Sequence, residues 1–304
     1  MRAILVLAAC LACTPNFQSQ SEVVDLRVLA IRTDPPEAQA TFDGGVVTAV
    51  DDVRVTLLVA DPPRMSNVAT VTSSLCSPTD SQRCDTGFRL PTLKQQMDQD
   101  FGYVIRVPPA AVQSALGSDK LAGFGGIRLQ LQIGIEDGDP AGVQSASKTI
   151  VYSRKDHVPN HVPLLDGLGL TTDTVSDGTL APGSPLKLKR GVTRGLRPIP
   201  HACPEPPPGS DPCIPASEHY DTVDLKGNKL SLTEQLTYSF FVTKGAEVTR
   251  ESADEPVKGI APPDGLTQIT LTSTGAGPGK LWVVVRDGRG GESWLVFDWQ
   301  LDDG

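Results

Sequence analysis

Long apolar runs, positive charge and helical periodicity are all scarce in this sequence. The amino-terminal apolar run, residues 3–12, is far shorter than the roughly 20 residues that a membrane-spanning helix needs. Lys and Arg number 27 against 36 Asp and Glu, which gives a net charge of −9. Because nucleic-acid binding requires clustered cations, this balance argues against a nucleic-acid partner. The sequence contains no G-x-S-x-G, H-E-x-x-H or Walker-type motif, and we expect no catalysis.

Residues 1–12 have the composition of a secretory signal peptide, with an early positive charge, an apolar middle and small residues at the end. They resemble bacterial lipoprotein signals, which end in a lipobox of Leu, a small residue, Ala or Gly, and Cys. Cys10 gives the better match to these letters, whereas Cys13 leaves a longer apolar segment. We favour Cys13 as the lipidated residue, with Cys10 as the alternative. A buried helix and a C-x-x-C metal site are the other interpretations, but no second ligand pair of matching spacing follows.

The polar residues 13–23 would then tether the fold to a lipid anchor, so the membrane is the first expected partner. Thr14 stands where an Asp retains some bacterial lipoproteins at the inner membrane. The resemblance therefore implies the bacterial outer membrane as the location, with the protein facing either the periplasm or the cell surface.

The other four cysteines form two pairs that are close in sequence. Cys76 and Cys84 bracket a polar loop, and Cys203 and Cys213 bracket the Pro-rich stretch PEPPPGSDP. Because export leads to an oxidising compartment, we predict Cys76–Cys84 and Cys203–Cys213 disulfides. Each would contribute about 2–3 kcal/mol by restricting the unfolded chain. The alternative is a zinc site, with the ligands His201, Cys203, Cys213 and His219.

Alternation of apolar and polar residues predicts an all-β fold. Half-buried strands joined by turns indicate antiparallel sheets with one face in water. One short helix is predicted over 108–117, which begins with Pro and ends with Gly. The clearest predicted strands are 53–59, 127–135, 236–242, 281–287 and 294–301, the last two forming a hairpin around GRGG.

The polar, Pro-containing linker 154–163 separates two strand-rich halves. We expect two tandem antiparallel β-sandwiches, over 24–153 and 164–304, each suited to about seven to nine strands. Residues 198–215 would form a Pro-rich disulfide loop on the second sandwich.

Two stretches of the second half, EQLTYSFFVTKGAEV (234–248) and GKLWVVVRDGRGGESW (279–294), resemble the closing strands of bacterial immunoglobulin-like and PKD-like modules. In such modules a V-x-D-G-x-G-G stretch turns between the last two strands. The segment VVDLRVLAIRTDPPEA (23–38) resembles a first strand. The chain is thus similar to bacterial envelope lipoproteins with tandem immunoglobulin-like domains, a resemblance that implies a fold but no chemistry.

Two groups of residues are candidate ligand sites. The carboxylates of Glu136, Asp137 and Asp139 could bind calcium, although calcium prefers six to eight oxygen ligands; the alternative is an ordinary Asp- and Gly-rich hairpin turn. An exposed set of Trp282, Trp294 and Trp299 could line a carbohydrate platform. Alternatively, these tryptophans and Phe297 fill the core of a sandwich.

These features predict a lipid-anchored cell-envelope protein with a structural, adhesive or assembly role, without catalysis or cofactor, whose partner is another envelope protein or a glycan. The alternative is a carbohydrate- or peptidoglycan-binding surface lipoprotein that uses the tryptophans. A third interpretation is an envelope metalloenzyme that uses His201, His219 or the acidic loop.

Overall fold

A computed structural model describes residues 19–64, 67–78, 87–96, 101–138, 142–154, 159–203, 213–224, 226–256, 262–272 and 277–302. Within these ranges the chain forms 23 strands and one helix, which confirms the all-β prediction. No helix in the described ranges has the length and apolarity to cross a membrane.

The first sandwich consists of two sheets that pack face to face. Its elements are β2 (Arg27–Asp34), β3 (Glu37–Asp43), β4 (Val46–Val50), β5 (Val53–Ala60), β6 (Val68–Cys76), β7 (Phe88–Arg89), β8 (Leu93–Gln96), β9 (Phe101–Ile105), α1 (Pro109–Ser118), β10 (Ile127–Glu136) and β11 (Gln144–Arg154). One sheet has the order β2-β5-β9. The other has the order β4-β3-β11-β10-β6-β7, with β8 paired to β6.

The first core lies between these sheets. Alternate residues of β10 point into it and are at most 3% exposed: Ile127, Leu129, Leu131, Ile133 and Ile135. They pack with the alternate residues Val53, Val55, Leu57 and Val59 of β5. The helix α1 adds Ala111, Val112 and Ala115 to this core. The predicted strands at 53–59 and 127–135 and the predicted helix are therefore confirmed.

The second sandwich is built in the same way. Its strands are β12 (Leu165–Thr172), β13 (Val175–Leu180), β14 (Leu186–Leu188), β15 (Arg194–Pro200), β16 (His219–Val223), β17 (Lys229–Thr233), β18 (Thr237–Thr243), β19 (Ala246–Val248), β20 (Ser252–Asp254), β21 (Thr267–Leu271), β22 (Gly279–Arg286) and β23 (Glu292–Leu301). With β1 (Glu22–Val23), one sheet has the order β1-β18-β22-β23-β14, and β20 also pairs with β18. The other sheet is β13-β12-β15-β21-β19, and β16 and β17 form a separate hairpin.

The second core fills the space between these two larger sheets. Leu236, Tyr238, Phe240 and Val242 come from the segment predicted as a strand over 236–242, and all four are buried. The predicted terminal hairpin is confirmed by the antiparallel pairing of β22 with β23.

Most strand pairs are antiparallel, as predicted, and three strand pairs in the described ranges are parallel. These are β3 with β11, β14 with β23, and β1 with β18. Each pair joins strands far apart in the chain, so no tight turn imposes an antiparallel direction.

The strand β1 includes the last two residues of the predicted polar tether over 13–23. Residues 13–18 lie outside the described ranges, but Glu22 and Val23 pair with Val242 and Thr243 of the second sandwich. Val23 is buried, and the carbonyl of Ser21 accepts a hydrogen bond from the Val242 N–H at 2.8 Å. The end of this segment is therefore part of the fold.

One of the two predicted disulfides is confirmed. Cys203 and Cys213 are bonded, with their Cα atoms 5.6 Å apart. Cys76 is also disulfide-bonded, and Cys84 lies outside the described ranges.

Candidate functional site at the junction of the two sandwiches

The two sandwiches meet in a third apolar cluster, here called the junction cluster. Its buried members are Val23, Leu29, Ala30, Leu58, Ala60, Trp282 and Val284. On β22, Trp282 and Val284 alternate with residues of the second core, and on β5 Leu58 alternates with residues of the first core. The strand β22 and the second half of β5 are therefore buried on both faces, which explains their continuous apolar sequences LWVVV and LLVA.

A buried carboxylate at the start of β23 connects the two sandwiches beside this cluster. Oε2 of Glu292 accepts hydrogen bonds from Lys148 Nζ on β11 at 3.1 Å and from the Ile31 N–H on β2 at 3.2 Å. Its Oε1 lies 2.6 Å from the guanidinium of Arg286. The Glu292 side chain is only 4% exposed. A buried charge of this kind is stable only with such partners, so the contacts fix the position of β23 against the first sandwich.

The turn between β22 and β23 is built around Asp287. Its Oδ1 accepts hydrogen bonds from the backbone N–H groups of Arg289 at 2.7 Å and Gly291 at 2.9 Å. Gly288 and Gly290 have φ angles of +79° and +114°, which side chains rarely allow. Burial raises the pKa of Asp287, although Asn160 Nδ2, 2.7 Å from Oδ2, opposes this shift. The D-G-x-G-G sequence thus has a physical basis in this turn.

The turn presents the guanidinium of Arg289 to both sandwiches. It lies 3.1 Å from Glu37 Oε2 of the first sandwich and 3.0 Å from Glu234 Oε1 of the second. The same guanidinium lies over the ring of Tyr220, 4.2 Å from its centroid. Burial raises the pKa of Glu234 to about 7, and the nearby Arg289 opposes this rise without cancelling it.

The predicted linker over 154–163 is held at the junction where it is described. The Asn160 N–H donates to Glu37 Oε2 at 3.0 Å. The His161 N–H donates to Glu218 Oε2 at 3.0 Å, and its Nδ1 lies 2.8 Å from Glu218 Oε1. Residues 159–163 are consequently fixed between the sandwiches.

A groove of about 1270 Å³ opens beside Arg289. Its walls are the 121–126 loop, the end of β11, the β16–β17 hairpin and the turn at 288–290. Among the described residues, its charged lining consists of the cations Arg128, Lys148, Arg154, Lys229 and Arg289 and the acids Glu37 and Asp221. In a chain with a net charge of −9, this groove has a local excess of positive charge.

Three of these cations are available to a ligand. Arg128, Arg154 and Lys229 are exposed, and none forms an ion pair with another described residue. The Arg154 guanidinium lies over the Phe42 ring, 5.3 Å from its centroid, and the Arg128 guanidinium donates to the Gly125 carbonyl at 3.4 Å. Lys148 and Arg289, by contrast, are engaged by Glu292 and by Glu37 and Glu234.

A second groove, of about 910 Å³, lies on the outer face of the seven-stranded sheet. Among its described lining residues only Arg89 is charged. The remainder are mostly hydroxyl-bearing or small: Thr72, Ser73, Ser74, Thr92, Ser145, Ser147, Gly134 and Ala146. The excess of cations therefore distinguishes the junction groove from this one.

The tryptophans predicted as an alternative carbohydrate platform do not form one. Trp282 lies in the junction cluster and Trp299 in the second core, and both are almost completely buried. Trp294 packs against the junction cluster, and the Arg32 guanidinium lies 5.1 Å from its ring centroid. Phe297 is a core residue, as the alternative interpretation expected.

The first two carboxylates of the acidic loop, a candidate calcium site, lie in different surroundings. Glu136 is exposed, and Asp137 is buried with its Oδ2 3.6 Å from Arg64. Arg64 also lies 3.7 Å from Asp61. Asp139 lies outside the described ranges.

The alternative zinc site is not assembled, since two of its four ligands are bonded to each other. His201 Nε2 lies 3.4 Å from Cys213 Sγ, and the atoms of His201, Cys203 and Cys213 are within 4.8 Å of one another. The fourth predicted ligand is His219, whose Nδ1 lies 2.7 Å from Thr233 Oγ1. The lipidation candidates Cys10 and Cys13 lie outside the described ranges.

The residues that define the junction groove are not indicated by the sequence. Arg289 lies in the GRGG stretch, whose composition predicts only a turn. Its partners Glu37 and Glu234 come from two distant segments, so no spacing along the chain could have indicated them. The one available signal was the uninterrupted apolar run of β22, which indicates a second buried face.

No protein-family model and no curated protein sequence matches the chain. Among solved structures, red sea bream transglutaminase is 12% identical over 92% of this chain and 32% of its own, with a TM-score of 0.27. The native conformation of E. coli alpha-2-macroglobulin is 8% identical over 93% of this chain and 17% of its own, with a TM-score of 0.27. Dimeric latent PorU from Porphyromonas gingivalis is 11% identical over 93% and 24%, with a TM-score of 0.21. The chain thus spans a third or less of each of these chains, and TM-scores this low support no functional conclusion.

Proposed function

We propose that this chain is a lipid-anchored bacterial envelope protein with a non-catalytic binding role, and that it binds an acidic polysaccharide in the junction groove. The observation that carries the proposal is the set of three exposed cations, Arg128, Arg154 and Lys229, on the walls of one groove in an acidic protein. Guanidinium groups bind carboxylates in a planar, two-point geometry, so this lining favours a carboxylate-bearing ligand.

A sugar polymer suits the rest of the lining. The hydroxyls of Thr149 and Thr222 also line the groove and can exchange hydrogen bonds with sugar hydroxyls. The groove is larger than the about 300–1,000 Å³ that is common for small-molecule pockets, which suits a segment of a polymer. The proposed carbohydrate-binding role is thus supported by the cations and hydroxyl groups of the groove and not by the tryptophans.

The binding proposal is tested by charge reversal in the groove. Polygalacturonate serves as the acidic probe and dextran as the neutral one. We expect the wild-type chain to bind polygalacturonate but not dextran, and to bind more weakly as salt is added. The Arg128→Glu/Arg154→Glu variant should bind about ten-fold or more weakly, since repulsion replaces two attractions. The control, Lys187→Glu/Lys244→Glu, changes the net charge equally at exposed sites outside the groove. Equal losses in both variants, or a preference for polyglutamate over polygalacturonate, would contradict an acidic-polysaccharide site.

The lipid anchor is tested separately by labelling cells with a radioactive fatty acid. We expect Cys13→Ser to abolish labelling of the protein. Cys10→Ser should leave the labelling unchanged. Loss of labelling in Cys10→Ser with normal labelling in Cys13→Ser would transfer the assignment to Cys10. Labelling of neither wild type nor variants would remove the anchor from the proposal.

A further inference from the structure

The Cys203–Cys213 disulfide has an oriented histidine against one of its sulfurs. Nε2 of His201 lies 3.4 Å from Cys213 Sγ, and Nδ1 of the same ring lies 2.8 Å from Asp166 Oδ1. Because a carboxylate can only accept, Nδ1 carries a proton in this pair, and Nε2 is left to face the sulfur. The ring is therefore placed to take a proton from a Cys213 thiol or to return one to its thiolate.

Backbone contacts hold these groups in register. Asp166 lies on β12, where its neighbour Leu165 pairs with Pro200, the residue before His201. The His201 N–H donates to the Leu164 carbonyl at 2.9 Å, and the His201 carbonyl accepts from the Ala216 N–H at 2.9 Å. The approach of the imidazole to the sulfur is thus set by the sheet and by the residues that follow the disulfide.

The site is also open to a reaction partner. Cys213 is exposed and Cys203 is half-buried, and the His201 and Asp166 side chains are 32% and 52% exposed. A disulfide that serves only as a staple needs neither this access nor an oriented base. Cysteines that exchange are accessible and have a cationic or histidine neighbour that stabilises their thiolate.

We propose that Cys203–Cys213 is an exchange-active disulfide that reacts with dithiols, with Cys203 as the sulfur that the dithiol attacks, Cys213 as the leaving thiolate and, once reduced, the more reactive thiol, His201 as the acid–base partner of Cys213 and Asp166 as the positioning residue. This activity is independent of the junction groove and of the function proposed for that groove.

The reaction with a dithiol has two steps. A thiolate of the dithiol attacks Cys203 Sγ, so a mixed disulfide forms, the Cys203–Cys213 bond breaks, and the electron pair leaves on Cys213. Protonated His201 stabilises this departing thiolate and gives it a proton. The second thiol of the dithiol then attacks the mixed disulfide and releases Cys203. The dithiol ends as a disulfide, and its two protons and two electrons end on the two protein thiols.

The first test uses the second disulfide of the same molecule as an internal control. The full chain is treated with dithiothreitol at one fixed pH, quenched with an alkylating reagent at intervals and analysed by peptide mass spectrometry. We expect Cys203–Cys213 to be reduced about ten-fold more slowly in His201→Ala than in wild type, because the leaving thiolate has lost its partner. The disulfide of Cys76 should be reduced at the same rate in both proteins. An unchanged Cys203–Cys213 rate in His201→Ala overturns the proposal.

The second test asks which sulfur is reactive and does not depend on how His201→Ala folds. Cys203→Ser leaves Cys213 as a free thiol, and Cys213→Ser leaves Cys203. Near neutral pH we expect iodoacetamide to alkylate Cys213 about ten-fold faster than Cys203. Adding Asp166→Asn should slow the alkylation of Cys213 and leave that of Cys203 unchanged, which a purely structural role of Asp166 would not do. Equal rates for the two thiols, or a faster Cys203, overturn the assignment.

Discussion

The strands β10 and β22 occupy comparable central positions in their sheets, but their outer faces meet different surroundings. Both contribute alternate apolar residues to a core, Leu129 and Leu131 in one case and Leu281 and Val283 in the other. The residues that alternate with these core residues differ. On β10 they include the polar residues Arg128 and Gln132, whereas on β22 they are Trp282 and Val284, which lie in the junction cluster. A strand that alternates therefore has one buried face, and a strand with a continuous apolar run has a partner on each side.

The largest effect is expected where this second face is removed. Trp282→Ala takes a nearly fully buried aromatic side chain out of the junction cluster and should lower the free energy of unfolding by about 4 kcal/mol. A change on the outer face of β10 at an exposed position, Glu136→Ala, should cost less than about 0.5 kcal/mol. Urea denaturation of the two variants measures both values. Similar losses would mean that the outer face of β22 contributes no more than that of β10.

The next effect concerns the charged part of the junction and depends on pH. The pKa of Glu234 is about 7 in the folded protein and near 4.5 when the chain is unfolded, so the folded state binds a proton more tightly. Stability from this group is complete below the unfolded pKa and is lost as the pH rises through 7. Between pH 5 and pH 8 the wild-type unfolding free energy should fall by about 2 kcal/mol because of this group.

Glu234→Gln should abolish that part of the pH dependence, since the amide does not titrate. Denaturation curves at pH 5 and pH 8 provide the measurement, with the exposed Glu247→Gln as the control that keeps the wild-type slope. If wild type and Glu234→Gln lose the same stability between these pH values, then Glu234 does not titrate in this range in the folded protein.

The smallest effect comes from comparing a lysine–carboxylate pair across the junction with one on the surface. Lys148 and Glu292 are 14% and 4% exposed, whereas Lys280 and Asp298 are 39% and 73% exposed. Lys148→Gln should cost about 1.5 kcal/mol, because Glu292 stays buried with one cationic partner fewer. Lys280→Gln should cost less than about 0.5 kcal/mol, although its ion pair is the shorter one. Equal costs would show that burial does not determine the strength of these pairs.

Features governed by neighbours in the chain could be predicted from the sequence. The alternation of Ile127 to Ile135 predicts β10, and GRGG between two apolar segments predicts the final hairpin, because period and turn chemistry are local properties. The Cys203–Cys213 bond was likewise indicated by two cysteines that close a short loop.

Features that depend on which surfaces meet could not be predicted in this way. Trp282 was a candidate for an exposed platform because nothing near it in the chain indicates that the first sandwich covers it. The parallel pairing of β3 with β11 and the convergence of Glu37 and Glu234 on Arg289 both join distant segments. The contact of Asp166 with His201 has the same origin, since the pairing of β12 with β15 creates it.

The short strand β1 determines how the molecule responds to tension. The chain passes through the second sandwich at Glu22 and Val23 before it enters the first at β2, and β1 runs parallel to β18. A pull on the amino terminus that is directed along β1 would load its hydrogen bonds to β18 together, in shear, instead of opening them one after another. The force reaches the sheet that carries the junction cluster before it reaches the rest of the first sandwich, so the chain has its mechanical attachment point where its two halves are joined.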